Sequence, residues 1–198
     1  MTVRTKSVPE RRYHAGVSVR PIRLWGDPVL RQRANEVTDF DRQLRLLVKD
    51  LTETLEEEQG AGLAAVQLGV LQRVFVWHTP ESEGHIVNPV LDFPDEEEQD
   101  GPEGCLSIPG LYFDTKRRLN TVAKGVDMHG RPLQVVGTAL LARALQHETD
   151  HLDGVLFIDR LDPETRREAM RAIREADWGS DPTPTVKVSP HPLRGGRG

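Results

Sequence analysis

Between residues 38 and 60, apolar positions recur with a helical period: Leu44, Leu47, Val48, Leu51 and Leu55 fall at i, i+3, i+4, i+7 and i+11 and share one face. The spacing predicts an amphipathic helix, begun in an Asp-rich stretch and stopped at Gly60. The pattern then changes. RVFVW (73–77) and HIVNPVL (85–91) are short, apolar and rich in β-branched residues, which predicts strands, whereas DFPDEEEQDGPEG (92–104) predicts a solvated loop. RLNTVAKGVDM (118–128) and RPLQVVG (131–137), joined across His129 and Gly130, read as a β-hairpin. Nearer the start, IRLWGDPVL (22–30) reads as a short strand followed by a Gly-Asp-Pro turn.

TALLARALQHETDHL (138–152) supplies a second helix, ended by Gly154, and VLFIDRL (155–161) follows as an expected strand. Asp162 as N-cap and Pro163 at the first helical position open a third helix through ETRREAMRAIREADW (164–178). Helices and strands do not alternate as βαβ units. The expected class is therefore α+β: mostly antiparallel sheets packed around a central helix that carries an HExxH pattern, with an amphipathic helix toward the N-terminus and another toward the C-terminus. Residues 21–178 form the expected single domain. Residues 1–20, Arg-rich and interrupted by Pro9 and Gly16, read as an extended or poorly ordered arm, and 179–198, rich in Pro and Gly, as a disordered tail.

Composition narrows the function classes. A net charge of −5 over 198 residues gives no global basic field, so a dedicated nucleic-acid binder is disfavoured and no DNA partner is expected. No apolar run approaches the roughly 18 residues that span a bilayer, and the first twenty residues hold no secretory apolar segment. A cytoplasmic protein with no membrane partner is expected. The one cysteine, Cys105, has no internal disulfide partner, so it is a buried hydrophobe, a reactive thiol or a metal ligand.

The chemistry concentrates in QHETDHLDG (146–154). On a helix, His147 and His151 lie one turn apart on one face and can bind a single cation, while Glu148 projects beside it as a candidate general base. Taken alone, the pattern also fits two satisfied histidines, so the third ligand decides. The extended metzincin spacing would require a third histidine where Phe157 stands, and that reading fails. A glutamate from the following helix, Glu168 or Glu175, would give a zinc endopeptidase. Cys105, in EGCLSIPG, would give a thiolate and two imidazoles with one tetrahedral position open to water, as a catalytic site requires. In GAGLAAVQLG (60–69), Gly60 and Gly62 permit close backbone approach and Gln67 offers an uncharged amide, although a helix C-cap with small-residue packing explains the glycines equally well.

Taken together, GAGLAAVQ, EGCLS and QHETDHLDG resemble, in order and spacing, the three signatures of the peptide deformylase family, and the resemblance runs from about Ile22 to Leu161. It implies a hydrolase that removes the N-formyl group from the initiator methionine of nascent polypeptides and releases formate. Cys105, His147 and His151 would hold one divalent metal, Fe²⁺ in the cell and replaceable by Ni²⁺, Co²⁺ or Zn²⁺. Glu148 would carry protons, and the Gln67 amide and Leu106 backbone N–H would face the developing oxyanion. Gly62 would offer its backbone to the peptide, and Glu103 would support the site through Arg117. The methionine pocket would form around Ala61, Leu140 and the ligand helix. Arg143 and Ala144 stand where apolar residues are more usual and Tyr112 where some members carry arginine, which bears on pocket depth and on contact with the second substrate residue. Arg166, Arg167, Arg171 and Arg174 on the third helix form either a solvated face or a contact with the ribosome. A deformylase-like binding module without turnover is the non-enzymatic alternative.

Overall fold

The structure, a computed structural model, describes residues 19–178. The tail expected over 179–198 lies outside the described residues, as does the arm expected over 1–20 except for its last two positions. Helix α1 spans Arg42–Glu58, α2 Ala139–Leu152 and α3 Pro163–Glu175. Strands are β1 (Gly62–Ala64), β2 (Val74–His78), β3 (Glu83–Asp92), β4 (Glu98–Gln99), β5 (Pro102–Cys105), β6 (Ile108–Asp114), β7 (Arg117–Arg118), β8 (Asn120–Val126) and β9 (Pro132–Thr138). They form an antiparallel five-stranded sheet ordered β1-β2-β3-β8-β9 and the two-stranded pairs β4-β7 and β5-β6.

The large sheet is covered on both faces. Along β2 the side chains alternate: Val74 and Val76 pack with Leu44, Leu47, Leu51 and Leu55 of α1, while Phe75 and Trp77 pack with Leu141, Leu145 and Leu152 of α2. This two-sided burial explains why the strand reads as an unbroken apolar run. A third cluster, built from Ile108, Leu156, Phe157, Ile158, Ala169 and Ile173, joins β6 and α3 beside α2. Helix α2 thus runs through the middle of the protein, and His147, Glu148, Asp150 and His151 are all buried on it. Asp41 caps α1 by accepting from the backbone N–H groups of Gln43 and Leu44, and Asp162 caps α3 through Glu164 and Thr165.

Several local expectations need correction. Residues 155–161 contain no strand; Phe157–Asp159 form a 3-10 turn, closed by the Asp159 carboxylate accepting from Leu156 N–H at 3.0 Å. Leu156, Phe157 and Ile158 are all buried in succession, a pattern that a short apolar run cannot assign to strand or turn. Ile22–Leu24 form no strand either: Arg23 N–H donates to the Gln67 carbonyl and Trp25 N–H to the Ser107 carbonyl, so the segment clips two loops rather than one ladder. The Gly-Asp-Pro turn continues as a 3-10 turn over Pro28–Arg31.

Segment 92–104 is less of a solvated loop than its charges suggest, since it contributes β4 and all but the last residue of β5. Glu103 is 4% exposed because its charge is paired. Strands β6 and β7 have no counterpart in the sequence pattern. Finally, α1 is ended by Gln59 in a left-handed conformation (φ 52°), not by Gly60. Gly60 answers a different demand, because a Cβ there would lie 2.9 Å from Leu55 and 3.0 Å from Leu106.

Candidate metal centre

Three elements converge on one spot. Strand β5 presents Glu103 and Cys105, its register against β6 shifting between Gly104 and Cys105. Helix α2 presents His147 and His151, and a 3-10 turn over Ala65–Leu68 presents Gln67. The Cys105 Sγ lies 3.2 Å from His151 Nε2, and the two imidazole centroids are 4.9 Å apart. One ligand atom from each of Cys105, His147 and His151 can be chosen so that all lie within 4.8 Å of one another; no other such group of three or more His, Cys, Asp or Glu occurs among the described residues. Glu168 and Glu175, the alternative ligands, are both exposed on α3 and belong to no such group.

The donor set fits a divalent transition metal: a soft thiolate and two imidazoles, with His151 Nε2 turned toward the thiol sulfur. His147 Nδ1 lies 2.7 Å from Glu103 Oε1. An ionised carboxylate only accepts, so Nδ1 donates to Glu103, and Nε2 is the ring nitrogen left to ligate a metal, giving up any proton of its own when the ion binds. Burial resists ionisation of Glu103, but hydrogen bonds from His147 and Arg117 hold its carboxyl well below the usual range. The imidazoles diverge. Burial opposes charge on His147, yet Cys105 and Glu103 raise its pKa; burial together with the neighbouring His147 charge pushes His151 down.

Glu148 follows His147 on the helix, and burial pushes its carboxyl up to about 7, where proton exchange at neutral pH is easiest. Gly62 packs directly against it. A Cβ on Gly62 would collide with Glu148 Oε1 and come within 2.7 Å of its Cγ. Gly62→Ala should therefore displace the carboxylate and lower the catalytic rate about 100-fold, the cost of a misplacement near 1 Å; steady-state kinetics on protein with native circular dichroism would check this.

Gln67 is fixed at both ends of its amide. Oε1 accepts from Ala64 N–H at 2.8 Å, while Nε2 lies 3.2 Å from Ser107 Oγ and 3.7 Å from Cys105 Sγ. The amide donor is thereby aimed at the thiol rather than free to flip. Beside this cluster opens a cavity of about 280 Å³, lined among others by Ala61, Gly62, Leu106, Leu140, Ala144 and Glu148. Tyr112 and Leu140, 58% and 43% exposed, stand at its rim.

Arg143 makes contacts that the sequence reading does not contain. It borders the cavity, but its guanidinium donates to Glu103 Oε2 at 2.7 Å and to the Thr115 carbonyl at 2.8 Å, so its charge is not offered to a ligand there. Arg117 does pair with Glu103, donating from Nε at 3.0 Å and from Nη2 at 2.7 Å. Sequence reasoning missed Ser107 and Asp150. Asp150 lies within the histidine motif, yet nothing in its spacing announces Arg117 and Arg160 as the partners of its carboxylate.

A sequence model described as polypeptide deformylase matches residues 19–167. A peptide deformylase of Acidothermus cellulolyticus is 61% identical, the match covering 90% of this chain and 98% of that protein. Peptide deformylase 1 of Corynebacterium efficiens is 50% identical over 82% of this chain and 98% of its own length. Among solved structures, the peptide deformylase of Thermus thermophilus superposes with a TM-score of 0.74 at 42% identity, covering 79% of this chain and 94% of that one. The Ehrlichia chaffeensis peptide deformylase in complex with actinonin gives 0.76 at 34% identity, covering 81% and 98%.

Proposed function

This chain belongs to the peptide deformylase family, and from there we propose that Cys105, His147 and His151 hold its metal ion and that Glu148 moves the protons of the reaction. The activity is metal-dependent removal of the N-formyl group from the initiator methionine of newly synthesised polypeptides, with release of formate. The assignment of roles is carried by one observation: ligand atoms of a thiol and two imidazoles lie within 4.8 Å of one another beside a cavity lined by a buried glutamate. Fe²⁺ is the proposed ion, with Ni²⁺, Co²⁺ or Zn²⁺ able to replace it, since the mixed sulfur and nitrogen set accepts each of them.

A cation held by these residues supplies Lewis acidity and makes water a nucleophile at neutral pH. The chain's own groups do the rest. Glu148 accepts the proton of the attacking water as the new C–O bond forms at the formyl carbon. It then delivers that proton to the methionine nitrogen as the C–N bond breaks, which leaves formate and a free amino terminus. Gln67 Nε2 and the Leu106 backbone N–H donate to the formyl oxygen as it gains charge. The Gly62 backbone aligns the peptide, Ala61, Leu140 and Ala144 border the methionine side chain, and Tyr112, exposed at the rim, faces the second substrate residue. Glu103 and Arg117 act from behind, fixing the His147 ring.

Formate release from a formyl-methionyl peptide by the metal-loaded protein tests the whole scheme. Gln67→Ala should lower kcat about 10²–10³-fold, the usual cost of one oxyanion donor. An unchanged kcat would remove Gln67 from the mechanism.

The third helix offers a further contact. Arg167, Arg171 and Arg174 are exposed, whereas Arg166 pairs with Asp159 at 3.1 Å. The proposed partner is ribosomal RNA, met where nascent chains emerge in the cytoplasm. Among the described residues no helix is long and apolar enough to cross a membrane. Replacing all four arginines by alanine should weaken ribosome co-sedimentation and flatten its salt dependence; unchanged co-sedimentation would discard this contact.

A further inference from the structure

Glu103 ties together the two elements that bear the proposed ligands. It stands on β5 two residues before Cys105, and both of its oxygens are gripped from α2: Oε1 by His147 Nδ1 at 2.7 Å, Oε2 by Arg143 Nη1 at 2.7 Å. Arg143 precedes His147 by one helical turn, so the two side chains rise from the same face of one rigid element. Arg117 also reaches Glu103, but its guanidinium is divided. Its Nη1 donates to Asp150 Oδ2 at 2.6 Å, and Asp150 in turn receives Arg160 Nη2 at 2.6 Å and Nε at 3.1 Å.

Among the described residues, the only carboxylate within salt-bridge distance of Arg143 is Glu103. Its second bond goes to the Thr115 carbonyl at 2.8 Å, between β6 and β7, and its side chain is only 10% exposed. Without Arg143, Oε2 would keep only the Arg117 Nε bond, from a guanidinium shared with Asp150. Glu103 would then be held to α2 only by His147 Nδ1 and, indirectly, through Arg117 and Asp150, so the offset between β5 and α2 would be fixed less tightly.

We infer that Arg143 is a positioning residue for the metal centre: by clamping Glu103 from the ligand helix, it sets the distance between the Cys105 thiolate and the two imidazoles and keeps the His147 Nδ1 proton in place. The inference rests on the reading of Cys105, His147 and His151 as the ligand set. It also accounts for an arginine where the cavity wall calls for an apolar residue, because the charge is spent on Glu103.

Cobalt(II) loaded into the full chain makes the geometry visible. Arg143→Met should release cobalt to excess chelator about 10–100-fold faster than the native protein, the range seen when a group supporting a metal ligand is lost. Its thiolate-to-cobalt absorption band should weaken or shift. Arg143→Lys should recover part of both, since an ammonium can restore one bond to Glu103 but not the second to Thr115. A lower melting temperature with unchanged cobalt release and an unchanged band would overturn the inference, because that is what a purely structural residue does. So would a raised KM for formyl-methionyl peptide with the cobalt properties intact, which would make Arg143 a substrate contact.

Cys105→Ser separates the two levels. If it binds cobalt as the native protein does, the ligand reading fails and this inference with it. If it loses cobalt while Arg143→Met releases the ion at the native rate, only the role of Arg143 is lost. Should Arg143→Met not fold, the same measurements on Arg143→Lys and Arg143→Gln decide.

Discussion

Cys105→Ala is expected to give a folded protein that carries almost no metal after gel filtration and releases formate at less than about 10⁻³ of the native rate. The expectation follows from what remains. Two imidazoles on one helix face bind a divalent cation far more weakly than the same pair completed by an anionic sulfur, and loss even of a supporting group costs about 10–100-fold in affinity. The fold should survive, because Cys105 is only partly buried and packs at the margin of the cluster built on Ile108, Phe157 and Ile173. Metal analysis by emission spectroscopy and a coupled formate assay check both halves. A zinc endopeptidase using Glu168 or Glu175 would retain its metal after this substitution. Retention of metal and activity would remove Cys105 from the centre.

Glu148→Gln separates metal binding from proton transfer. The amide keeps the size of the carboxylate but has no basic oxygen able to take a proton from water, and so kcat should fall about 10²–10⁴-fold. Metal content should stay native, since Glu148 lies outside the ligand group. Removing an ionisable group that is 3% exposed and whose Oε2 has no hydrogen-bond partner among the described residues should not destabilise the fold; thermal unfolding should show an unchanged or higher midpoint. Loss of less than tenfold in kcat would mean that the proton passes through another group.

Much of the site is legible in the sequence, because its chemistry is written in short local patterns. His147 and His151 share a helix face by spacing alone, and Glu148 follows from its neighbour. The hairpin of β8 and β9 and the buried face of α1 likewise follow from side-chain periodicity. The third ligand is not legible in that way: spacing leaves Cys105 competing with Glu168 and Glu175, and only the likeness of EGCLS to a known family favours the thiol. Sequence periodicity has no access to which distant segment folds against a helix.

Charge is the least legible quantity. In DFPDEEEQDGPEG, Glu103 looks like one more solvated acid, yet it is buried at the centre of a charged cluster. Arg143 looks like a misfit in an apolar pocket for the same reason. Whether a charge is exposed or buried depends on its partners, and here those partners lie 14, 40 and 44 residues away along the chain. The sequence by itself determined the helical periods, the strands of the hairpin and the identity of the reactive groups, all properties of neighbours a few residues apart. Only the tertiary structure decided which carboxylates are buried, which arginines neutralise them and how near the thiol comes to the imidazoles, because burying a charge is tolerable only where folding brings an opposite charge to meet it.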